Sequence, residues 1–316
     1  LPEAITYTEH PQDVLRAAVQ RLDRGVKFAL ITSVAIKGGA AREVGSLAIV
    51  DQSGAMVGYM SNGCIDSDIR LRAIELLETG GPAICLQYGD GSPFKDLTLP
   101  CGGSLELLLD PDPDAQALRA ALSSMQSRVD AELTFQCPKS DRAITFQYSP
   151  KPRLILAGRG AVFRATARVA FAAGFELHLL TPQEDDLSDL SDIECLSQSV
   201  LTTPNAIPDI AVDPHCGFLT LFHDHDWEPA LLLRAVDSKA RFIGCLGSTR
   251  THSNRIEYLK SKGISPQNIA RIHGPIGLVP SLRQAPLIAV STMAQLAEAF
   301  PFSINVVEKS DKATVL

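Results

Sequence analysis

The sequence predicts an α/β protein: an N-terminal mixed α/β domain followed by a C-terminal domain built on a doubly wound parallel sheet. Three observations predict it. An apolar run, Leu154 to Ala157, leads through Gly158-Arg159-Gly160 into a helical pattern and then a second strand from Glu176, which is a βαβ unit. The first hundred or so residues instead mix β-rich runs with helical periodicity. Between these regions lies Asp110-Pro111-Asp112-Pro113-Asp114, whose prolines and like charges resist continuing a helix or a strand. At 316 residues the chain is long enough for two cores.

The elements follow in order. Val14, Leu15, Ala18, Val19 and Leu22 share one helical face over 12–24, and Gly25 ends the pattern. Strands are expected from Phe28 to Ile36, Gly45 to Val50 and Ala55 to Met60, the last two joined by the turn Asp51-Gln52-Ser53-Gly54. The period then becomes helical from Cys64 to Thr79 and stops at Gly80-Gly81-Pro82. Strands Ala83 to Tyr88 and Ser104 to Leu109 close a first domain at 1–110. Residues 111–152 read as a linker region with a short helix, Ala115 to Gln126, and weak strands near Leu133 and Ile144. The second domain, 153–316, continues after its βαβ unit with strands Phe218 to Phe222, Phe242 to Leu246 and Leu287 to Val290. Its helices are expected at Glu228 to Asp237, Ser253 to Lys262 and Thr292 to Phe300.

Composition narrows the function classes. Hydrophobic residues at 45% and charged residues at 21% exclude disordered, collagen-like and coiled-coil chains. A net charge of -7 repels phosphate backbones, so no nucleic-acid partner is expected. No apolar run reaches the roughly 18 residues of a membrane span, and no secretory leader pattern opens the sequence. The cysteines number seven, lie far apart and include no C-x-x-C pair, which fits a reducing cytoplasm rather than a disulfide framework or a zinc ribbon.

Residues that carry chemistry gather at strand ends. Gly158-Arg159-Gly160 opens a helix, but the third glycine of a dinucleotide fingerprint is Phe163 and its ribose acid is replaced by Thr181-Pro182-Gln183. The loop reads as a nicotinamide site, another phosphate site or a structural turn. His223-Asp224-His225-Asp226 follows the strand from Phe218, where two imidazoles suit a metal or a ligand, or simply cap the next helix. Gly247-Ser248-Thr249-Arg250, followed by Arg255, has the composition of an anion-binding helix start or of an ordinary N-cap. Ser61-Asn62-Gly63-Cys64 puts a thiol at a helix start, and Cys101-Gly102-Gly103 pairs another with two glycines. Such thiols are either reactive or small packing groups.

Taken together, Arg42-Glu43-Val44-Gly45, Ser61-Asn62-Gly63-Cys64 and Leu99-Pro100-Cys101-Gly102-Gly103-Ser104-Leu105-Glu106 resemble the amino-terminal domain of xanthine dehydrogenase accessory factors, the XdhC/CoxI family. Gly158-Arg159-Gly160, Phe222-His223-Asp224-His225, Ile243-Gly244-Cys245-Leu246-Gly247-Ser248, Gly274-Pro275-Ile276-Gly277-Leu278 and Ile288-Ala289-Val290-Ser291 resemble that family's Rossmann-like carboxyl-terminal domain in the same order. The resemblance spans nearly the whole chain.

It implies an accessory chaperone rather than an enzyme. Such a protein binds the molybdenum cofactor (molybdopterin) transiently and protects it while a cysteine desulfurase exchanges one ligand for sulfur. It then delivers the cofactor to the apoenzyme of a xanthine dehydrogenase-type molybdenum hydroxylase. The expected cofactor-binding residues are Arg42, Ser61, Asn62, Gly63, Cys64, Cys101, Gly102 and Gly103 in the first domain. In the second they are Gly158, Arg159, Gly160, His223, Asp224, His225, Gly247, Ser248 and Arg250. No catalytic residue, resident metal or membrane partner is expected, and a homodimer is left open. The sequence departs from the family pattern at Asn62, where glycine is usual, at Phe163, and at Gln295, where a glutamate is common. An NAD(P)-dependent oxidoreductase is the competing reading, and a scaffold without a small-molecule ligand is a third.

Overall fold

A two-residue strand, β1 (Ile5–Thr6), precedes α1 (Pro11–Asp23), which forms where Val14, Leu15 and Ala18 fall on one face and are fully buried. The computed structural model describes residues 5–61, 63, 65–90, 92, 103–138, 143–205, 207–222, 226–300 and 304–307. After α1 come β2 (Phe28–Lys37), β3 (Leu47–Asp51), β4 (Met56–Val57), α2 (Asp66–Thr79), β5 (Ile84–Gly89) and β6 (Ser104–Asp110). They form one sheet in the order β1-β4-β3-β2-β6-β5, antiparallel except where β1 pairs with β4.

The β3–β4 turn is held by Asp51, whose Oδ1 accepts from the Ser53 and Ala55 amides while Oδ2 accepts from the Arg21 guanidinium on α1. Helix α2 lays Ile69, Ala73 and Leu76 against Ile31, Leu107 and Leu109 on one face of the sheet. The opposite face packs α1, then α3 (Ala115–Gln126) and a small sheet of β7 (Ala131–Gln136) and β8 (Ala143–Tyr148).

Residues 111–152 are therefore not a linker. Leu118, Leu122, Met125, Leu133, Phe135, Phe146 and Tyr148 are buried in the same cluster as Val14 and Leu30. The acidic, proline-rich run misleads because it is a helix start. The Asp114 carboxylate accepts from the amides of Gln116 and Ala117, so the composition that suggested a linker is that of an N-cap.

The second unit begins at Lys151. It contains β9 (Arg153–Gly158), α4 (Gly160–Ala172), β10 (Glu176–Thr181), α5 (Glu184–Ser188), β11 (Ser197–Val200) and β12 (Cys216–Leu221). It continues with α6 (Glu228–Asp237), β13 (Phe242–Cys245), α7 (Thr249–Ser261), α8 (Pro266–Ile269), β14 (Ile272–His273) and α9 (Ala285–Ala299). The strands make one all-parallel sheet in the order β11-β10-β9-β12-β13-β14, so the winding reverses between β9 and β12. Residues of α4 and α9 cover one face, and those of α6, α7 and α8 cover the other.

Two expectations fail here. Leu287 to Val290 lies inside α9, because a short apolar run does not distinguish strand from helix and Pro286 stands in the helix's first turn. The domain expected to extend over 153–316 loses β15 (Ile304–Val307), which pairs antiparallel with β8 in the first unit. Among the described residues, no helix is long and apolar enough to cross a membrane.

Candidate functional site

In the first unit, the loop after β4 is organised by Asp66, a buried carboxylate with no exposed surface. Its Oδ1 accepts from the amides of Met60 at 2.8 Å and Ser61 at 3.2 Å. Its Oδ2 accepts from the Ser61 hydroxyl at 3.0 Å and the Gly63 amide at 2.7 Å. The Ser61 hydroxyl in turn accepts from the Ile65 amide at 2.8 Å. Ser61 is thus a loop-builder as well as a candidate ligand. Asn62 and Cys64 lie outside the described residues.

Gly103 stands at the same end of the sheet. A Cβ there would sit 2.5 Å from the Gly39 carbonyl oxygen and 2.7 Å from that of Lys37, so the crossing of β2 and β6 alone demands glycine. Cys101 and Gly102 lie outside the described residues. The two loops are tied through Tyr88, which pairs with Leu105 two residues past Gly103 and donates its hydroxyl to Asp68 Oδ2 at 2.7 Å. Burial, with Asp68 adding to it, raises the Tyr88 phenol far above its ordinary value. It stays a neutral donor.

Arg42 braces the approach to Ser61. Its guanidinium lies 4.6 Å from the centre of the Tyr59 ring and donates to the Glu9 carbonyl at 2.7 Å. Burial and the bond to the Glu9 carboxylate raise the Tyr59 phenol as well.

In the second unit, Gly158 packs against β12, where a Cβ would meet Leu221 Cβ at 2.7 Å. Arg159 caps α4 in an extended conformation, and Gly160 begins the helix with φ +73°. The Gly160 amide does not point to an open site. It donates at 2.8 Å to Oδ2 of Asp186, a fully buried carboxylate that also accepts from Thr181 and pairs with Arg164 at 2.8 Å. A residue of α5 thus occupies the anion position of this helix start. The run His223-Asp224-His225, which follows β12, lies outside the described residues.

Arg255, read from the sequence as converging on the Gly247 loop, turns inward. It forks onto Glu228 at 2.9 and 2.8 Å and donates to the Leu246 carbonyl at 2.9 Å, while Thr220 donates to the same carboxylate. Only 5% of Arg255 is exposed, so it supports the strand end from beneath. Burial pushes the neighbouring Cys245 thiol up to about 12, which makes it inert. Arg250 is exposed, and Ser248 caps α7 by accepting from the Thr251 amide at 3.1 Å.

Gly247 and Ser248 line one wall of a cleft of about 680 Å³, with the Pro275–Arg283 loop and Ile288 and Ser291 of α9 on the others. That volume suits a small molecule. The loop is held by four bonds from its own amides: Ile276 to the Cys245 carbonyl at 3.0 Å, Gly277 to Gln295 Oε1 at 2.7 Å, Leu278 to the Ser291 carbonyl at 3.3 Å, and Val279 to Ser291 Oγ at 2.8 Å. Gly277 has φ +106°, and a Cβ on it would crowd Ser291 Oγ at 2.8 Å. Among the described lining residues there is an arginine, Arg283, three hydroxyls besides Ser291 and no acid. A cavity of similar size, about 690 Å³, opens beside Gly25, Gly80 and Asp110, at the opposite end of the first sheet from Ser61 and Gly103. No predicted site residue lines it.

Sequence reasoning found the glycines and hydroxyls but missed the buried acids Asp66, Asp186 and Glu228, and the helix residues Ser291 and Gln295 that shape the cleft. Asp186 carried a faint signal, an acid soon after the empty ribose position. The others reveal themselves only through distant partners.

Comparison with known proteins follows the same division. Residues 154–296 match a family model described as the XdhC Rossmann domain, and residues 21–89 match one described as the XdhC and CoxI family. The molybdenum cofactor insertion chaperone PaoD of Escherichia coli (strain K12) is 30% identical over 311 residues, 94% of this chain and 91% of that protein. The uncharacterized protein YqeB of the same organism is 26% identical over 151 residues, 47% of this chain and 27% of that one. A crystal structure described as a xanthine dehydrogenase from Bacillus halodurans superimposes with a TM-score of 0.73 at 18% identity, covering 92% of this chain and 96% of that one. That likeness concerns the fold.

Proposed function

The chain belongs to the XdhC and CoxI family, and we propose that it is a molybdenum cofactor insertion chaperone. The observation that carries this reading is its similarity to the E. coli insertion chaperone over nearly the full length of both chains. The cargo is a phosphorylated pterin dithiolene, which calls for amide and hydroxyl donors, a cation for the phosphate and few acids nearby. The cleft beside Gly247 and Ser248 offers that set: hydroxyls of Ser248, Thr249 and Ser281, the Arg283 guanidinium and no described carboxylate.

Arg250 stands exposed in the first turn of α7 as a further phosphate contact. In the first unit, Ser61, Gly63 and Gly103 hold their loops at one end of the sheet, and the thiols of Cys64 and Cys101 serve the cargo during sulfur exchange. The protein shields the cofactor while a cysteine desulfurase works on it, and then passes it to a molybdenum hydroxylase apoenzyme. It turns over no substrate of its own.

The oxidoreductase reading is disfavoured by Asp186. A dinucleotide's pyrophosphate at the start of α4 would meet a buried carboxylate that already holds the Gly160 amide. To test both readings, the protein is purified from cells that make the cofactor, oxidised, and assayed for released fluorescent pterin, and a separate sample is titrated with NADH. About one pterin per chain with weak NADH binding is expected. Micromolar NADH affinity with no retained pterin, and no activation of an apo-hydroxylase, would reverse the assignment.

A further inference from the structure

Away from these loops, the first unit places two cysteines side by side. Cys85 lies on β5 and Cys137 immediately follows β7. They are 52 residues apart in sequence, and their sulfurs are 2.7 Å apart, closer than an ordinary contact between two thiols. Both side chains are nearly covered, at 9% and 7% exposure. Glu106 on β6 joins them, with a carboxylate oxygen and both sulfurs all within 4.8 Å of one another. Glu106 reaches the pair because it stands opposite Gln87, two residues beyond Cys85 on the same face of the sheet.

Two thiols and a carboxylate suit either a thiophilic metal or thiol oxidation, and distance decides between them. A tetrahedral zinc with Zn–S bonds of about 2.3 Å holds its sulfurs about 3.8 Å apart, so the pair would have to part by about 1 Å. A disulfide bond of about 2.05 Å needs a smaller movement, inward. We propose that Cys85 and Cys137 are a redox-active dithiol that closes to an intramolecular disulfide, with Glu106 placed to take the thiol proton.

With hydrogen peroxide as oxidant, Glu106 accepts the proton of one thiol, and the resulting thiolate attacks a peroxide oxygen. The O–O bond breaks, a sulfenic acid forms, and the departing hydroxide takes the proton back from Glu106 and leaves as water. The second sulfur then displaces the sulfenic oxygen, losing its own proton, and a second water leaves as the S–S bond forms. Two thiols give up two electrons, and one peroxide becomes two waters. A reducing compartment keeps the pair open. Closure staples β5 in the large sheet to the end of β7 in the small one, across a cluster that both layers share.

The test uses the full chain, reduced and then treated with stoichiometric hydrogen peroxide and digested without reductant. The peptides carrying Cys85 and Cys137 should appear joined, lighter by two hydrogens than their sum. The oxidised protein should melt higher by roughly 5 °C or more, and dithiothreitol should reverse the shift. Cys85→Ser and Cys137→Ser should each abolish link and shift, while Cys195→Ser keeps both. Glu106→Gln should slow closure several-fold and reach the same end point. If a serine variant does not fold, the wild-type peptide map decides alone. The proposal fails if both thiols stay free after oxidation, or if either pairs with another cysteine. It also fails if bound zinc, one per chain, shields both thiols from alkylation. An undiminished rate in Glu106→Gln removes the glutamate from the step.

Discussion

Asp66→Asn puts the organisation of the Ser61 loop to its most direct test. The wild-type carboxylate, itself fully buried, accepts four bonds, two on each oxygen. Asparagine keeps one acceptor and converts the other oxygen into an NH₂ group. If its oxygen stays on the Met60 and Ser61 amides, the NH₂ faces the Gly63 amide across 2.7 Å and the Ser61 hydroxyl across 3.0 Å. The hydroxyl can rotate and accept, but the amide cannot. One charge-assisted bond is lost, worth about 1.5–3 kcal/mol, while the released Gly63 amide belongs to an exposed residue and can turn to water. A loss of about 1.5–3 kcal/mol is therefore expected. Urea melts of the full chain, with pterin retention assayed beside them, read both stability and site. A loss below about 0.5 kcal/mol with full pterin retention would show that the loop does not depend on this carboxylate.

Arg250→Ala should release most of the bound pterin while shifting stability by less than about 0.5 kcal/mol, since the side chain is exposed; fluorescence of the released pterin and a melt check the two halves. Gly103→Ala drives a methyl group onto two carbonyl oxygens of the Lys37–Gly39 backbone and should cost roughly 1–3 kcal/mol in urea melts; a neutral result would mean the loop is free to move. Burial raises the Asp51 carboxyl, but bonds from Ser53 and Arg21 outweigh it and hold the group below 3.8. Its stabilisation is therefore complete above pH 3.8 and fades as the pH falls through the lower folded value. Asp51→Asn should destabilise clearly at neutral pH and far less in strong acid, and equal losses at both would refute the linkage.

Local signals carried much of the fold. Helix α3 and helix α6 span the ranges expected of them, and the βαβ unit at Gly158 led to the parallel sheet. What escaped depends on partners distant in sequence. The strand β11 is Ser-Gln-Ser-Val, polar at most positions, and exists because β10 offers a parallel edge for its backbone. The site divides the same way. Glycines and hydroxyls at strand ends are visible in a sequence, whereas Asp66, Asp186 and Glu228 look like any surface acid until the fold buries them against their donors. Arg255 shows the reverse error. Its position near Gly247 suggested a ligand, and its real counter-ion sits on α6.

The pairing of β15 with β8 has a bearing on how the protein is made. A ribosome releases β8 long before Ile304–Val307 exists, with the entire parallel-sheet unit threaded between them. Until then one edge of the nascent small sheet stays open to stray pairing, and the place that Ile304 takes beside Gly45 and Phe146 stays empty. The amino-terminal half of the polypeptide is therefore finished last. A chain clipped or stalled anywhere before Ile304 presents that raw edge to stray pairing.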